Sequence, residues 1–357
     1  MSEKNSESLT KDQARYEGLD MLRGVCALSI MFYHYFGWTF GHFKANSPLG
    51  RCGVYGVSLF YVLSGLTMFL VYFRRFTFSI PFAKEFYTKR FFRIFPLMWV
   101  VIILTWLVKG NTNSWLEETG IITGLFSVFQ WDATTPLGMW SIGNELSFYL
   151  LLPFIFWALK NKRTAVPVIM TLIIFGCYFY MAYTCFNTTA ADKWEDRNYK
   201  NPLNEAGLFL GGILIGYFFK NANIKPRVAI VLVALGLILF AFWPASGELR
   251  TVYIGNYRVV FTLICFIIAL GFFKLDVSTW PARIKSVFTW FGDISYSLYL
   301  MHGLVWSVVA LFGFKIRYVL PVSIVATFVV SYLVYHFLES PARNAGYKLL
   351  KKANQNN

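Results

Sequence analysis

Two ionisable residues, Arg23 and His34, stand inside the first long apolar run of the chain. They are eleven positions apart, which on an α-helix brings them to nearly one face, about 16 Å apart along the axis. A cation and an imidazole in a membrane-crossing helix are unfavourable unless they face the protein interior, so the pair points to a working site within the membrane. An imidazole suits general-base chemistry because its ordinary pKa lies close to working pH. Asp20, one turn before Arg23, favours that reading over a lone packed histidine.

Other residues carry related chemistry. Glu145, in Trp140-Ser-Ile-Gly-Asn144-Glu145-Leu-Ser-Phe-Tyr149, is a second charge inside an apolar run and needs a partner. It is expected to hold the His34 ring and stabilise the imidazolium formed on proton abstraction, with a structural Arg or Tyr as its alternative partner. Trp140, Asn144 and Tyr149 around it are candidate contacts to a sugar or a reacting carbonyl. Lys89, Arg90 and Arg93 form a basic cluster suited to phosphates, or to lipid headgroups at the inner surface. Ser64 is a candidate substrate contact in a glycine-bearing run, Gly53 to Gly65, whose small residues permit close helix packing. Ser295, Tyr299 and His302 recur at spacings of four and three, a polar stripe on one helix face, with His302 a weaker base candidate than His34. His336 beside Glu339 and Arg343 reads as a structural termination cluster, and His42 as solvated surface.

The elements that position these residues are membrane helices. Of 357 residues 57% are hydrophobic, 20% aromatic and only 14% charged, and the mean hydropathy is +0.51. That balance lies outside the range of soluble globular domains. Apolar runs at about 22–40, 54–73, 91–108, 138–158, 166–186, 203–219, 228–243, 256–273, 289–312 and 318–338 predict an all-α integral membrane protein of about ten transmembrane helices. The expected organisation is an N-terminal tail at 1–20, one membrane domain at 21–343 and a C-terminal tail at 344–357. Ile121 to Trp131 is apolar but too short to cross, and is read as interfacial or re-entrant. The first apolar run follows a charged tail without a small-residue cleavage site, so it reads as a span rather than a removed signal peptide.

With the N-terminus inside, the inner connections carry twenty-one Lys and Arg against nine outside, which places both termini in the cytoplasm. The net charge of +15 is dispersed among these loops, so topology explains it and nucleic acid is not an expected partner. The five cysteines show no CxxC or metal spacing, so neither a metal site nor a structural disulfide is expected. No internal repeat is evident, which counts against a secondary transporter.

Taken in order, these landmarks resemble the acyltransferase 3 family of membrane acyltransferases. The resemblance rests on Leu19-Asp20 leading into Arg23-Gly24, the ten-residue gap to His34, and Gly56-Val-Ser-Leu-Phe-Tyr-Val-Leu-Ser64-Gly65. It continues through Arg90-Phe-Phe-Arg93-Ile-Phe-Pro96, Trp140-Ser to Glu145 and Tyr149, Ile294-Ser-Tyr-Ser-Leu-Tyr-Leu to His302, and Glu339-Ser-Pro341 to Arg343. It implies a ten-helix domain taking acetyl or another acyl group from cytoplasmic acyl-CoA. The acceptor it implies is a hydroxyl of a lipid-linked or surface carbohydrate, such as O-antigen or exopolysaccharide, at a bacterial inner membrane. Arg23 and His34 match the family's functional signature. The chain departs from the pattern at Leu146, where a second acid is usual. It also shows no SGNH-type hydrolase segment, so the chain is expected to finish the transfer without one.

The resulting expectation assigns His34 as base, Glu145 as its orienting carboxylate and Arg23 to the pantetheine entrance. Lys89, Arg90 and Arg93 take the phosphates of acetyl-CoA, a co-substrate rather than a permanently bound cofactor. Tyr149, Ser64 or Tyr299 would donate to the developing oxyanion, and an acyl-Tyr or acyl-Ser carrier stays open. The rivals are a proton-coupled transporter using Arg23, His34 and Glu145 as a relay, and a membrane scaffold with structural ion pairs. Acceptor specificity is expected in loops 109–137 and 186–202. There Glu117, Glu118, Asp132, Asp192, Glu195 and Asp196 accompany Trp115, Trp131 and Trp194, and Asn187 opens a glycosylation sequon.

Overall fold

The computed structural model describes the backbone of residues 2–110, 113–131, 136–186 and 197–355, and the side chains among them except those of residues 2–16 and 354. The sequon at Asn187, and Asp132, Asp192, Trp194, Glu195 and Asp196, lie outside the described residues. Among the described residues there is no strand, and one isolated antiparallel bridge joins Lys44 to Glu248. The helices are α1 (Ser2–Phe40), α2 (Pro48–Met68), α3 (Ile80–Lys109), the short α4 (Trp115–Thr123) and α5 (Phe126–Phe129), and α6 (Met139–Lys160). They continue as α7 (Ala165–Tyr180), α8 (Pro202–Phe219), α9 (Pro226–Phe242), α10 (Gly255–Lys274), α11 (Ala282–Leu311), α12 (Ile316–Val334) and α13 (Ser340–Gln355). The chain runs from α2, α7 and α12 straight into wider π turns at Phe69–Phe73, Met181–Cys185 and Tyr335–Glu339.

Eight helices among the described residues are long and apolar enough to cross a membrane, and the protein is an all-α integral membrane protein. The ten expected spans all fall on helices. α1 and the 17-residue α9 carry the two that lie outside those eight. Helix starts follow local chemistry. Ser47 caps α2 by accepting from the Gly50 amide, ahead of Pro48 at the first turn, and Ser79 caps α3 in the same way ahead of Pro81.

The contacts sort the chain into two compact units. The first comprises Met1–Tyr72, Ile174–Asn198 and Leu203–Ser295. In it α1 packs along α2, and α9 along α10. α2 and α8 approach so closely that a Cβ added at Gly65 would lie 2.0 Å from the Phe209 carbonyl oxygen. One at Gly212 would meet the Val62 carbonyl oxygen at the same distance. The close packing expected of the small residues in α2 is therefore realised against α8. Arg51, buried at the start of α2, donates to the carbonyls of Ala45, Phe240, Ala241 and Trp243. A guanidinium at the C-terminal end of α9 satisfies carbonyls that the helix itself cannot.

The second unit comprises Phe73–Ile173, Tyr199–Pro202 and Tyr296–Asn357. Ile121 to Trp131 forms no helix long enough to cross a membrane. It spans the end of α4 and all of α5, broken at Gly124, whose φ of +78° ends α4 in a left-handed turn. Glu117, one of the acids in a loop expected to set acceptor specificity, closes a capping box. Its carboxylate accepts from the Ser114 amide and hydroxyl while Ser114 Oγ accepts from the Glu117 amide. The segment read as a C-terminal tail, 344–357, lies largely in α13, which packs along α3.

Candidate active site

In the first unit, the Arg23 guanidinium is held from two sides. Nη1 donates to Asp20 Oδ1 one turn earlier on α1, and Nη2 to Thr67 Oγ1 on α2. The side chain keeps 16% exposure. Asp20 was legible as a partner from its spacing; Thr67 was not, because it comes from another helix. His34 is half-buried. Its ring stacks on Trp38 one turn later, centroids 5.3 Å apart, and meets Tyr33 edge-on at 4.9 Å. Tyr33 in turn lies on Gly53 of α2, where an added Cβ would sit 2.4 Å from the ring. One face of α1 therefore carries an anchored cation and, eleven residues on, an imidazole seated between aromatic rings.

The same unit holds a charge pair that sequence reasoning missed. Glu205 on α8 and Arg258 on α10 are each 1% exposed and meet at 3.1 Å. The Ser58 hydroxyl and the Asn204 amide also donate to the Glu205 carboxylate. The Arg258 guanidinium lies 5.1 Å from the centre of the Tyr178 ring, and the Tyr178 hydroxyl is 2.6 Å from that of Thr262. Both charged residues stood inside predicted spans, at 203–219 and 256–273. The rule that flagged Glu145, a carboxylate in an apolar run needing a partner, applies equally to Glu205.

In the second unit, the Glu145 carboxylate accepts a hydrogen bond from the Tyr149 hydroxyl one turn along α6. A Tyr partner was the alternative to His34 in the sequence reading; His34 and Glu145 belong to different units. The Arg90 guanidinium lies 5.7 Å from the Tyr149 ring centre and 5.9 Å from that of Phe86. Lys89 takes a different direction. Its ammonium pairs with Glu85 at 2.5 Å and sits over Tyr347 of α13, while Glu85 also binds Arg75 at 2.9 Å. The expected basic triad thus divides, with Arg90 over Tyr149 of α6 and Lys89 in an ion pair with Glu85.

The polar stripe of α11 is also divided. The Tyr299 hydroxyl reaches Ser141 of α6 at 2.7 Å, whereas Ser295 and Nδ1 of His302 pair with carbonyls of their own helix, Gly292 and Tyr299. Trp140 lies against Tyr199, and Ser64 is buried within α2. Asn144 is fully buried, and neither atom of its amide has a hydrogen-bond partner among the described residues. Glu339 accepts from Ser297 at 2.7 Å, Arg343 donates to the Tyr335 hydroxyl, and His336 packs on Tyr332 and Tyr335. The chain runs on through the π turn Tyr335–Glu339 into α13, so these side chains do not terminate a helix as the sequence reading expected.

The acyltransferase domain of the acyltransferase 3 type matches residues 16–336. A Staphylococcus aureus (strain COL) relative, provisionally named an O-acetyltransferase, is 28% identical over 371 residues, covering 93% of this chain and 58% of its own length. O-acetyltransferase OatA of Staphylococcus aureus (strain NCTC 8325 / PS 47) is 25% identical over 383 residues, covering 95% of this chain and 60% of its own. The chain thus spans about three-fifths of the length of these relatives. No solved structure matches it significantly. With the family match running from just before Arg23 to the π turn that follows α12, the chain belongs to the acyltransferase 3 family of membrane acyltransferases.

Proposed function

We propose that the chain is a membrane O-acyltransferase of the bacterial inner membrane. It moves an acyl group, acetyl in the simplest case, from cytoplasmic acyl-CoA to a hydroxyl of a lipid-linked or cell-surface carbohydrate. The relatives named for O-acetyl transfer support this chemistry, and the Lys and Arg bias of the connections supports ten spans with both termini inside. The observation that carries the reading is the arrangement on α1: a guanidinium anchored by Asp20 and Thr67, and on the same face a half-buried imidazole.

In this reading His34 removes the proton from the acceptor hydroxyl as its oxygen attacks the thioester carbonyl. The carbon–sulfur bond then breaks, and the departing CoA thiolate takes the proton from the imidazolium, leaving an ester and free CoA. Arg23 is a fixed positive charge for the donor, and Arg90 and Arg93, with Lys89 behind them, are cations for its phosphates. Tyr149 and Tyr299 carry hydroxyls suited to stabilising developing negative charge.

The test is transfer of label from acetyl-labelled CoA to membrane glycans in inverted vesicles. His34→Ala is expected to lower transfer by about a hundredfold or more, with unchanged expression and gel-filtration behaviour. Retained transfer would remove His34 from the base role. Proton uptake by reconstituted vesicles without any acyl transfer would replace the enzyme with the transporter reading.

A further inference from the structure

Proton abstraction turns the His34 imidazole into a cation, and a charge formed in apolar surroundings is costly unless something nearby favours it. Glu145, the carboxylate expected in that role, instead accepts from Tyr149 in the second unit. The first unit places aromatic rings on the imidazole. It lies stacked on the Trp38 indole, centroids 5.3 Å apart and planes inclined by 28°, and Tyr33 meets it at 4.9 Å and 64°. Both rings are themselves held. The fully buried Tyr35 lies 5.8 Å from Trp38, while Tyr33 rests on Phe43 at 5.5 Å and against Gly53 of α2.

Between neutral rings such an offset stack is ordinary aromatic packing. The same geometry gains a second property once the imidazole is charged. The face of an indole is its electron-rich side and attracts a cation within about 6 Å of the ring centre, more strongly than tyrosine or phenylalanine does and more strongly away from water. We infer that Trp38 is a positioning residue for acyl transfer. Its indole face holds the His34 ring and stabilises the imidazolium from the moment the acceptor hydroxyl gives up its proton until the CoA thiolate collects it. The inference rests on the base role of His34 proposed above and makes it more specific. The place of Trp38 on α1 also separates it from a tryptophan that anchors a helix end in lipid. Trp38, 39% exposed, lies about 40° around the helix from His34 and about 60° from Arg23. The exposed apolar residues Val25 and Phe40 lie about 140° and 160° around from it, on the other side of the helix.

The test changes the electronics of the ring and keeps its shape. Tryptophan analogues with increasing numbers of ring fluorines have a progressively less negative face at nearly constant size, and nonsense suppression places them at position 38 of the full chain. Single-turnover transfer from labelled acetyl-CoA to membrane glycans is expected to fall stepwise along the series, to about a tenth of the parent rate at the highest substitution. The KM for acetyl-CoA and the melting temperature in detergent should stay at the parent values, because neither depends on a charge formed only during the reaction. Trp38→Phe keeps a smaller aromatic face and is expected to transfer faster than Trp38→Leu, with both slower than the parent. Should Trp38→Leu fail to fold, the fluorinated series decides alone. A transfer rate that stays level along that series overturns the inference and leaves Trp38 as packing, even where Trp38→Leu is inactive. Retained transfer in His34→Ala would instead overturn the base role, and this inference with it, whereas a level series beside an inactive His34→Ala removes the part of Trp38 alone.

Discussion

Arg258 and Arg23 are both guanidinium groups among apolar helices of the same unit, yet they are held in opposite ways. Arg258 is 1% exposed, paired with an equally buried carboxylate and packed over the Tyr178 ring. Arg23 keeps 16% exposure, its Asp20 partner is 39% exposed, and a threonine takes the other arm of the fork. A pair enclosed on all sides spends its interactions on joining α8 to α10. A cation tied at two points but still part-open retains the capacity to meet a ligand. The difference separates a charge that holds helices together from one available for chemistry, although both look alike as single Arg residues in hydrophobic runs.

The largest effect that would sharpen this contrast comes from Arg258→Met. Removing one partner leaves Glu205 as an uncompensated buried carboxylate, which is expected to destabilise the fold by about 3–5 kcal/mol. The double variant Arg258→Met with Glu205→Met removes both charges at similar volume and should recover most of that loss. Thermal unfolding of the purified protein in detergent reads both. A single variant as stable as the parent would show that the pair does not hold the unit together. Arg23→Lys comes next. Lysine keeps the charge but replaces a fork that spans Asp20 and Thr67 with a single point donor. Acyl transfer is expected to fall about tenfold while the melting temperature stays near that of the parent. An equal loss of melting temperature in Arg23→Lys and Arg258→Met would erase the distinction.

The legibility of these features from sequence follows distance along the chain. Runs of apolar residues are local, so the helices were readable, as was the short Ile121 to Trp131 segment that α4 and α5 occupy. Arg23 with His34, and Arg23 with Asp20, are also local, because helical periodicity alone sets them on one face. Glu205 and Arg258 are on different helices, and only the packing of α8 against its neighbours makes them partners. Thr67 and Arg51 escaped for the same reason: one reaches a side chain on α1, the other the carbonyl end of α9. Glu117 is a different kind of miss. Ser114 three residues before it spells a capping box in the sequence itself, and the acid was read for its charge instead of its position. In Lys89 and Arg90, spacing along α3 set the faces, but the side chains divided between Glu85 and Tyr149 of α6 according to which helices pack there.

The smallest effect is also the most discriminating, since it compares two hydroxyls on α2. Ser58 donates to the buried Glu205 carboxylate, and Thr67 accepts from Arg23. Ser58→Ala leaves part of an enclosed charge unsatisfied, and is expected to lower stability by about 1–3 kcal/mol. Thr67→Val keeps shape and removes only an acceptor beside a guanidinium that solvent can reach, so its stability change is expected to stay below about 1 kcal/mol. Transfer should respond in the reverse order. Losing Thr67 frees the Arg23 fork to swing towards Asp20 alone and should lower transfer a few-fold, visible mainly in the apparent KM for acyl-CoA. Ser58→Ala should leave that KM unchanged in whatever fraction stays folded. If Thr67→Val instead lost stability with no change in KM, Arg23 would join Arg258 as a structural charge, and His34 alone would carry the site on α1.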